Sequence, residues 1–278
     1  MLKKILLSAV LFFLALLLAA AFYLNSLGIL RTPQYDTQAP AIPVLQHPAI
    51  LVLSKTNGYI HKVGLPAARG MLAELAAENG WHLYQTENAA SHNRQDLARF
   101  DVVVWNNTSG DILTPAQRAD FKEWLQEGGR WLGLHAAGGD PHYKWDWYRD
   151  ELIGAQFFGH TMWPQFQDAD VLVVDAGEAL TSHLPNRWRV TQEEWYAFDR
   201  NPRETGSKIL LVLDESSYDT EVLFIADPTM PGEHPIAWTH AMGRGTVIYS
   251  AIGHTAETYA NANYREFIRR SISQLVAR

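Results

Sequence analysis

The chain has 278 residues, of which 47% are hydrophobic and 19% are charged, and this balance excludes disorder as its main state. It contains no cysteine, which excludes disulfides, zinc–thiolate sites, iron–sulfur clusters and a cysteine nucleophile. With 23 basic and 30 acidic residues the formal net charge is −7, which argues against nucleic acid as a partner.

Residues 1–30 form an apolar segment that follows two lysines. Residues 5–24 supply the roughly 20 apolar positions that a helix needs to cross a bilayer. Lys3 and Lys4 precede this run and favour a cytoplasmic amino terminus. We therefore predict a membrane anchor with the body outside the cytoplasm, on the periplasmic face in a bacterium. The rival interpretation is a cleaved signal segment, since three alanines at 19–21 resemble a cleavage site.

Residues 31–48 contain four prolines and predict an extended spacer that holds the body off the membrane. The remainder, 49–278, shows no internal repeat and is predicted to be one α/β domain that folds without the anchor.

The first half of this body alternates strands and helices. Residues 49–53 form a short apolar run without alternation, which is typical of a strand covered on both faces. A helix begins at Thr114, where Pro115 and Gln117 complete a capping pattern. The other elements predicted in this half are a helix at 65–79 and strands at 81–86, 101–105 and 130–134.

After residue 158 strand-like segments predominate. They are predicted at 171–174, 208–213, 221–226, 236–239 and 245–250, before a closing helix at 264–276. Successive β–α–β units imply an open, largely parallel sheet with helices on both faces, of the flavodoxin-like kind. The later strands are expected to extend this sheet in antiparallel or mixed fashion.

Histidines follow several of the predicted strands. His61 follows the first strand, His135 the fourth and His254 the last, while His160 stands beside a glycine in the middle segment. Because ligands of open α/β sheets bind beyond the carboxyl ends of the strands, we expect these side chains and Glu194 to converge there in one pocket walled by Trp and Tyr.

The residues around His135 resemble a nucleophile elbow, a sharp turn after a strand that exposes one side chain above the sheet. The exposed residue is a histidine where a hydrolase would carry serine or cysteine. Acyl-enzyme chemistry by that route is excluded, which leaves proton transfer or metal binding for His135.

The order of short motifs along the body resembles the trehalose-utilisation (ThuA-like) family. The matching segments are 58–61, 106–114, 133–137, 158–160, 194–196, 234–238 and 253–255. The resemblance covers roughly residues 50–278 and implies the fold of class I glutamine amidotransferases without their catalytic cysteine. It places family histidines on His135 and His254 and implies a sugar-related context. The amino-terminal apolar segment is not required by that family.

We therefore assign candidate roles to nine residues. The catalytic candidates are His135, His61, His254, Glu194 and Tyr196. The substrate-binding candidates are Asn107, Trp195, His160 and Tyr59. A divalent metal such as zinc would be held by imidazoles from the set His61, His135, His160 and His254, with Glu194 as a further ligand. Five other histidines lie in polar stretches and are expected to be solvated: His47, His82, His92, His142 and His183.

Three functions follow from these assignments. The first is an enzyme, a hydrolase, isomerase or lyase, that acts on a small carbohydrate or keto-sugar by histidine and carboxylate proton transfer, with or without a metal. The second is a non-catalytic sugar-binding module tethered to the membrane, and the third is a structural protein of the envelope. No glycine pattern matches a nucleotide fingerprint, so no nucleotide cofactor is expected.

Overall fold

The computed structural model describes residues 2–140, 143–220 and 228–277. Helices are α1 Leu2–Ser26, α2 Gly64–Asn79, α3 Arg94–Leu97, α4 Pro115–Gln126, α5 Ala256–Ala260 and α6 Ala262–Val276. Strands are β1 Ala49–Leu53, β2 His82–Thr86, β3 Val102–Asn106, β4 Arg130–Leu134, β5 Phe157–His160, β6 Gln167–Val173, β7 Arg187–Glu193, β8 Tyr196–Phe198, β9 Lys208–Leu213, β10 Pro235–Met242 and β11 Gly245–Ser250. The strand predicted at 221–226 and the predicted solvation of His142 lie outside the described residues.

One nine-stranded sheet organises the body, with strand order β2-β1-β3-β4-β11-β10-β9-β6-β7. The five strands from β2 to β11 pair in parallel, and β10, β9, β6 and β7 continue the sheet in antiparallel fashion. Helices α2, α4 and α6 pack against it. The prediction of an open α/β sheet with an antiparallel extension is confirmed. A separate two-stranded sheet pairs β5 with β8.

The core lies around the central parallel strands, whose residues are buried on both sides, whereas those of the edge strand β2 are partly exposed. All five residues of β1 and of β3 are buried, as their uninterrupted apolar sequence predicts. Trp105 of β3 stacks on Phe121 of α4 and meets Trp131 of β4 edge-on. The helix α4 begins with the predicted capping box at Thr114, which fixes where this packing starts.

The prediction that His92 is solvated is wrong. Its side chain is buried, and its Nε2 accepts a hydrogen bond of 2.9 Å from the indole nitrogen of Trp105. Burial lowers the pKa of His92 to about 3, so the imidazole is neutral in the folded protein. His47 is exposed, whereas His82 and His183 are partly buried.

The apolar helix α1 is long and apolar enough to cross a membrane over Lys3–Ser26, and none of it is buried against the body. Such a helix near the amino terminus fits either an anchor or a signal sequence. The segment 31–48, predicted to be an extended spacer, has no regular secondary structure. It does not stand clear of the body, however, because Gln34 exchanges two backbone-to-side-chain hydrogen bonds with Asn57 at 3.1 Å each.

Candidate functional site

Four buried side chains meet at the carboxyl-terminal edge of the parallel strands. His61 lies between β1 and α2, His135 directly follows β4, Glu194 joins β7 to β8, and His254 follows β11. Each offers one metal-ligating atom, and these four atoms all lie within 4.8 Å of one another. The parallel topology accounts for the three histidines, since β1, β4 and β11 end at the same edge. We call these four residues the histidine–glutamate cluster.

The turn after β4 orients His135. The residue has φ 48°, a left-handed conformation uncommon for a residue with a side chain, as expected of a sharp elbow. Its Nδ1 lies 2.6 Å from the carbonyl oxygen of Ala251, which can only accept, so Nδ1 carries the proton. The Nε2 lone pair is therefore free and lies 3.3 Å from Nδ1 of His254 and 3.5 Å from Oε2 of Glu194. A backbone hydrogen bond of this kind commonly fixes a metal-binding histidine.

The carboxylate of Glu194 connects the other members. Its Oε2 lies 2.9 Å from Nδ1 of His254, and its Oε1 lies 3.3 Å from Nε2 of His160 and accepts a hydrogen bond from Gln165. Because Glu194 follows an antiparallel strand, strand-end topology does not account for its position.

A second buried carboxylate holds the backbone beneath the cluster. Glu193 accepts hydrogen bonds from the backbone nitrogens of Glu194 at 2.8 Å, His254 at 2.9 Å and Gly253 at 3.2 Å, and from the hydroxyl of Thr258. Glu193 thereby ties the turn that carries Glu194 to the turn that carries His254. We did not identify Glu193 from the sequence, where the only available signal was its place beside Glu194.

Electrostatics set the protonation of the cluster. Burial, followed by the neighbouring His135 and His254, holds the pKa of His61 well below its usual range, so His61 is neutral. Burial alone would raise the pKa of Glu194, but its contacts with the side chains of His135 and His254 outweigh burial and lower the pKa. For His254, burial alone would lower the pKa, but the hydrogen bond with Glu194 and the neighbouring carboxylate charges together outweigh burial, and the pKa is raised. Glu194 is consequently ionised, and the carboxylate is the form that binds a metal.

The donor set of the cluster suits a divalent metal. Three imidazole nitrogens and one carboxylate oxygen match the ligands that zinc takes in proteins. Nδ1 of His61 is buried and has no hydrogen-bond partner among the described residues, a costly arrangement that a ligand in this site would relieve. The residues therefore fit a metal of this kind. The set differs from the predicted imidazoles, because His160 contacts Glu194 instead of joining the group of four.

The other predicted site residues divide into two groups. Tyr196, Tyr59 and His160 border the cluster. The Tyr196 ring stacks on His135 at 4.2 Å, and its hydroxyl lies 3.4 Å from Nε2 of His61. The half-buried Tyr59 meets His61 edge-on at 4.8 Å. The roles of all these residues stay predictions.

Asn107 and Trp195 are engaged elsewhere. The Asn107 amide donates to the hydroxyl of Tyr259 at 2.9 Å, and Trp195 is 1% exposed and donates to the carbonyl oxygen of Gln167 at 3.0 Å. Trp195 is therefore a core residue. A ring we did not predict, Phe166, meets His254 edge-on at 4.9 Å, in a stretch whose sequence carries no site signal. Among the described residues, the rings that contact the cluster include Tyr59, Tyr196 and Phe166.

A cavity of about 420 Å³ lies beside the cluster on the side of His61. Its lining combines apolar side chains with charged ones at the entrance of α2. The lining residues are Ile60, His61, Lys62, Leu65, Pro66, Arg69 and Glu87.

Comparison with known proteins identifies the fold and the family of this chain. The fold is that of glutamine amidotransferase-like α/β proteins: an amidotransferase from Thermotoga maritima aligns with a TM-score of 0.50 at 13% identity, covering 84% of this chain and 100% of that one. The family model of ThuA, described as trehalose utilisation, matches residues 49–273, and the chain belongs to this family.

Two solved structures illustrate the likeness. A ThuA-like protein from Bacteroides uniformis aligns with a TM-score of 0.71 and 24% identity, covering 86% of this chain and 95% of that one. A second, from Parabacteroides merdae, aligns with a TM-score of 0.62 and 15% identity, covering 84% and 91%. Among curated proteins, none matches the chain significantly. The resemblance drawn from the motifs is confirmed at the level of family and fold.

Proposed function

We propose that this chain is a membrane-anchored enzyme that acts on a small carbohydrate or keto-sugar at the histidine–glutamate cluster, with a divalent metal such as zinc. The observation that carries the proposal is the burial of three imidazoles and an ionised carboxylate within 4.8 Å of one another. Burying several such polar groups together costs free energy. A cluster of this kind is therefore more typical of a functional site than of a structural core. His61, His135, Glu194 and His254 would hold the metal.

When bound, the metal would supply Lewis acidity, polarising a carbonyl oxygen or lowering the pKa of a water molecule. The surrounding residues provide the proton steps. Tyr196, whose hydroxyl lies 3.4 Å from Nε2 of the metal ligand His61, can exchange a proton with the substrate. Glu193 is occupied by four hydrogen bonds, so it orients the turns instead of exchanging protons.

A sugar-like substrate is supported by the family description and by the rings at the cluster. Tyr59 and Phe166 are both partly exposed and lie against His61 and His254, where a sugar ring can stack on an aromatic face. A conventional glycosidase requires two carboxyl groups on opposite sides of the scissile bond. The two carboxylates here are adjacent in sequence and one is fully engaged, which favours hydrolysis, isomerisation or elimination assisted by imidazole.

The apolar helix α1 supports retention at a membrane. Lys3 and Lys4 precede the helix and favour a cytoplasmic amino terminus. The body would then lie on the opposite face of the membrane, outside the cytoplasm. The alternative function, a non-catalytic tethered sugar-binding module, requires the rings but not the buried cluster.

Metal analysis of the purified full chain, with calorimetry against disaccharides and their 3-keto forms, tests the proposal. We expect one zinc per chain, turnover of at least one sugar, and loss of both in His135→Ala. The matched control is His92→Gln, which changes a buried histidine outside the cluster and should retain both. Sugar binding without metal or turnover would favour the binding module, and a folded His135→Ala protein with full activity would overturn the assignment.

A further inference from the structure

The end of the apolar helix is bonded to the loop that carries the candidate site. The carbonyl oxygen of Leu27 accepts a hydrogen bond of 2.9 Å from the backbone nitrogen of Ile60. Gly28 packs on the same loop so closely that a Cβ there would lie 2.0 Å from the carbonyl oxygen of Gly58. With φ 88°, Gly28 also occupies a left-handed conformation that favours glycine. Residues 58–61 are therefore held against the point where the apolar helix ends.

The segment after the helix strengthens this attachment. Asp36 accepts hydrogen bonds from Lys55 at 2.8 Å and from the backbone nitrogen of Ala89 at 2.9 Å. Together with the pair of bonds between Gln34 and Asn57, these contacts bind the segment across the carboxyl-terminal edge of the sheet. These contacts hold the carboxyl-terminal edge of the sheet beside the end of α1, and the candidate site lies at that same edge.

Exposed apolar side chains lie on the segments that adjoin the candidate site and the helix end. Val63, two residues after His61, is 56% exposed; Trp163 is 79% exposed; and Phe166, whose ring meets His254, is 36% exposed. Ile29 and Leu30, directly after the helix turn, are 51% and 55% exposed. Tryptophan is the side chain most typical of the membrane–water interface, where its ring reaches both phases.

The cavity beside His61 has two chemical characters. Ile60, Leu65 and Pro66 supply apolar surface and Lys62 supplies positive charge, whereas Arg69 is paired with Glu87 at 3.0 Å. An amphiphile matches this combination, because its glycerol or acyl portion suits the apolar surface and an interface of anionic lipid attracts the ammonium group of Lys62.

We propose that the candidate site opens onto the membrane surface and takes the hydroxylated headgroup of an amphiphile, a glycolipid-like molecule, from the membrane in which α1 is anchored. The inference rests on the proposed function for the chemistry and on the contacts of Leu27 and Gly28 for the orientation. A substrate confined to the bilayer reaches a site held at the same surface by lateral diffusion, which raises its effective concentration.

Spin-label depth measurements test the orientation on the full chain. The sequence has no cysteine, so Trp163→Cys and the control Gln126→Cys each place one nitroxide at a known position. Gln126 ends α4, four residues before β4 begins, and is exposed at the opposite edge of the sheet. In phosphatidylcholine–phosphatidylglycerol vesicles, we expect the label at 163 to be relaxed more by oxygen than by a water-soluble nickel chelate, and the label at 126 to show the reverse.

A second variant isolates the helix contact. Gly28→Leu places a side chain where the backbone of Gly58 lies, so it should release the body and return the label at 163 to water while α1 stays in the bilayer. Equal accessibility of the two labels in the unmodified background would overturn the proposed orientation. So would an amino-terminal sequence, from the protein isolated from cells, that begins after residue 26.

A separate measurement tests the substrate class. The mobility of the label at 163 should fall when the vesicles contain a glucosyl diacylglycerol and should not respond to soluble methyl glucoside. If methyl glucoside also lowered the mobility of the label, or if neither sugar did, the proposal of an amphiphilic substrate would be overturned. Zinc content on the same samples separates this inference from the proposed function: protein without zinc whose label still lies in the bilayer would contradict the metal and leave the orientation standing.

Discussion

The two halves of the sheet contribute to the candidate site by different physical means. In the parallel half, β1–β4 and β11, backbone topology alone delivers His61, His135 and His254 to one edge. In the antiparallel half, made of β6, β7, β9 and β10, neighbouring strands run in opposite directions, so their following loops do not share an edge. Glu194 reaches the cluster there because Glu193 fastens its turn to the His254 turn. The parallel half therefore acts as a rigid scaffold, and the antiparallel half depends on a few buried polar contacts.

The largest expected effect tests the scaffold. Trp105→Ala removes a fully buried indole that packs on Phe121 and Trp131, and should lower the free energy of unfolding by about 3–5 kcal/mol. Urea denaturation measures the loss. The exposed Trp163→Ala is the control and should change stability by less than about 0.5 kcal/mol. Similar losses in both variants would contradict the view that the parallel half forms the rigid core.

The next effect tests the contribution of the antiparallel half to metal binding. Glu194→Gln removes the only carboxylate of the cluster and should weaken zinc binding at least about 100-fold, since even changes beyond the direct ligands cost 10–100-fold. Competition with a chelator measures the affinity. Glu233→Gln alters a carboxylate of the same half that pairs with Arg203, and should leave the affinity unchanged. Equal zinc affinity in wild type and Glu194→Gln would remove Glu194 from the ligand set.

A smaller effect distinguishes a structural histidine from the cluster. His92 is buried in the parallel half and is not a member of the cluster, and burial lowers its pKa to about 3. As the pH falls below 6.5 the unfolded chain binds the proton first, so the folded state should lose about 2 kcal/mol by pH 5 and more down to pH 3.

His92→Gln measures this loss by difference. The glutamine oxygen can accept the hydrogen bond from Trp105 and does not titrate, so unfolding of the variant should depend less on pH between 6.5 and 3. Parallel pH profiles of wild type and variant would show that another group is responsible.

The smallest effect concerns the contact that joins the halves. Glu193→Gln keeps the side-chain size but replaces one acceptor oxygen with a donor facing backbone N–H groups, and should weaken zinc binding about 10-fold. The control Thr258→Ser retains the hydroxyl that donates to Glu193 and should bind zinc normally. A Glu193→Gln protein that is destabilised yet binds zinc with wild-type affinity would restrict Glu193 to folding.

The contrast between the halves also explains what could be predicted from the sequence. Uninterrupted apolar runs such as 49–53 predict buried parallel strands, and strand-end histidines then follow from topology. The strands β5, β7 and β8 were not predicted, because they are short or partly exposed and their pairing includes bulges. Glu194 was proposed because it stands beside two aromatic residues in a family motif, and no predicted strand ends at it.

Burial of single side chains was the least predictable property. His92 stands between Ser91 and Asn93, and its polar neighbours in sequence gave no sign of the contact with Trp105. Trp195 was expected at the pocket because Glu194 and Tyr196 are there, yet its indole bonds to Gln167 in the core. Prolines in 31–48 predicted an extended backbone, but the side-chain bonds that lay it on the body depend on the folded structure.

The placement of the tryptophans has an optical consequence. The sequence holds ten, and Trp163 is 79% exposed, whereas Trp105, Trp131, Trp195 and Trp238 are fully buried. Buried indoles emit at shorter wavelengths and are shielded from dissolved quenchers, so the red edge of the natural fluorescence belongs mainly to Trp163. The unmodified protein therefore carries a natural fluorescent reporter on the loop between His160 and Phe166, and iodide quenching at that wavelength measures the exposure of this loop without any added probe.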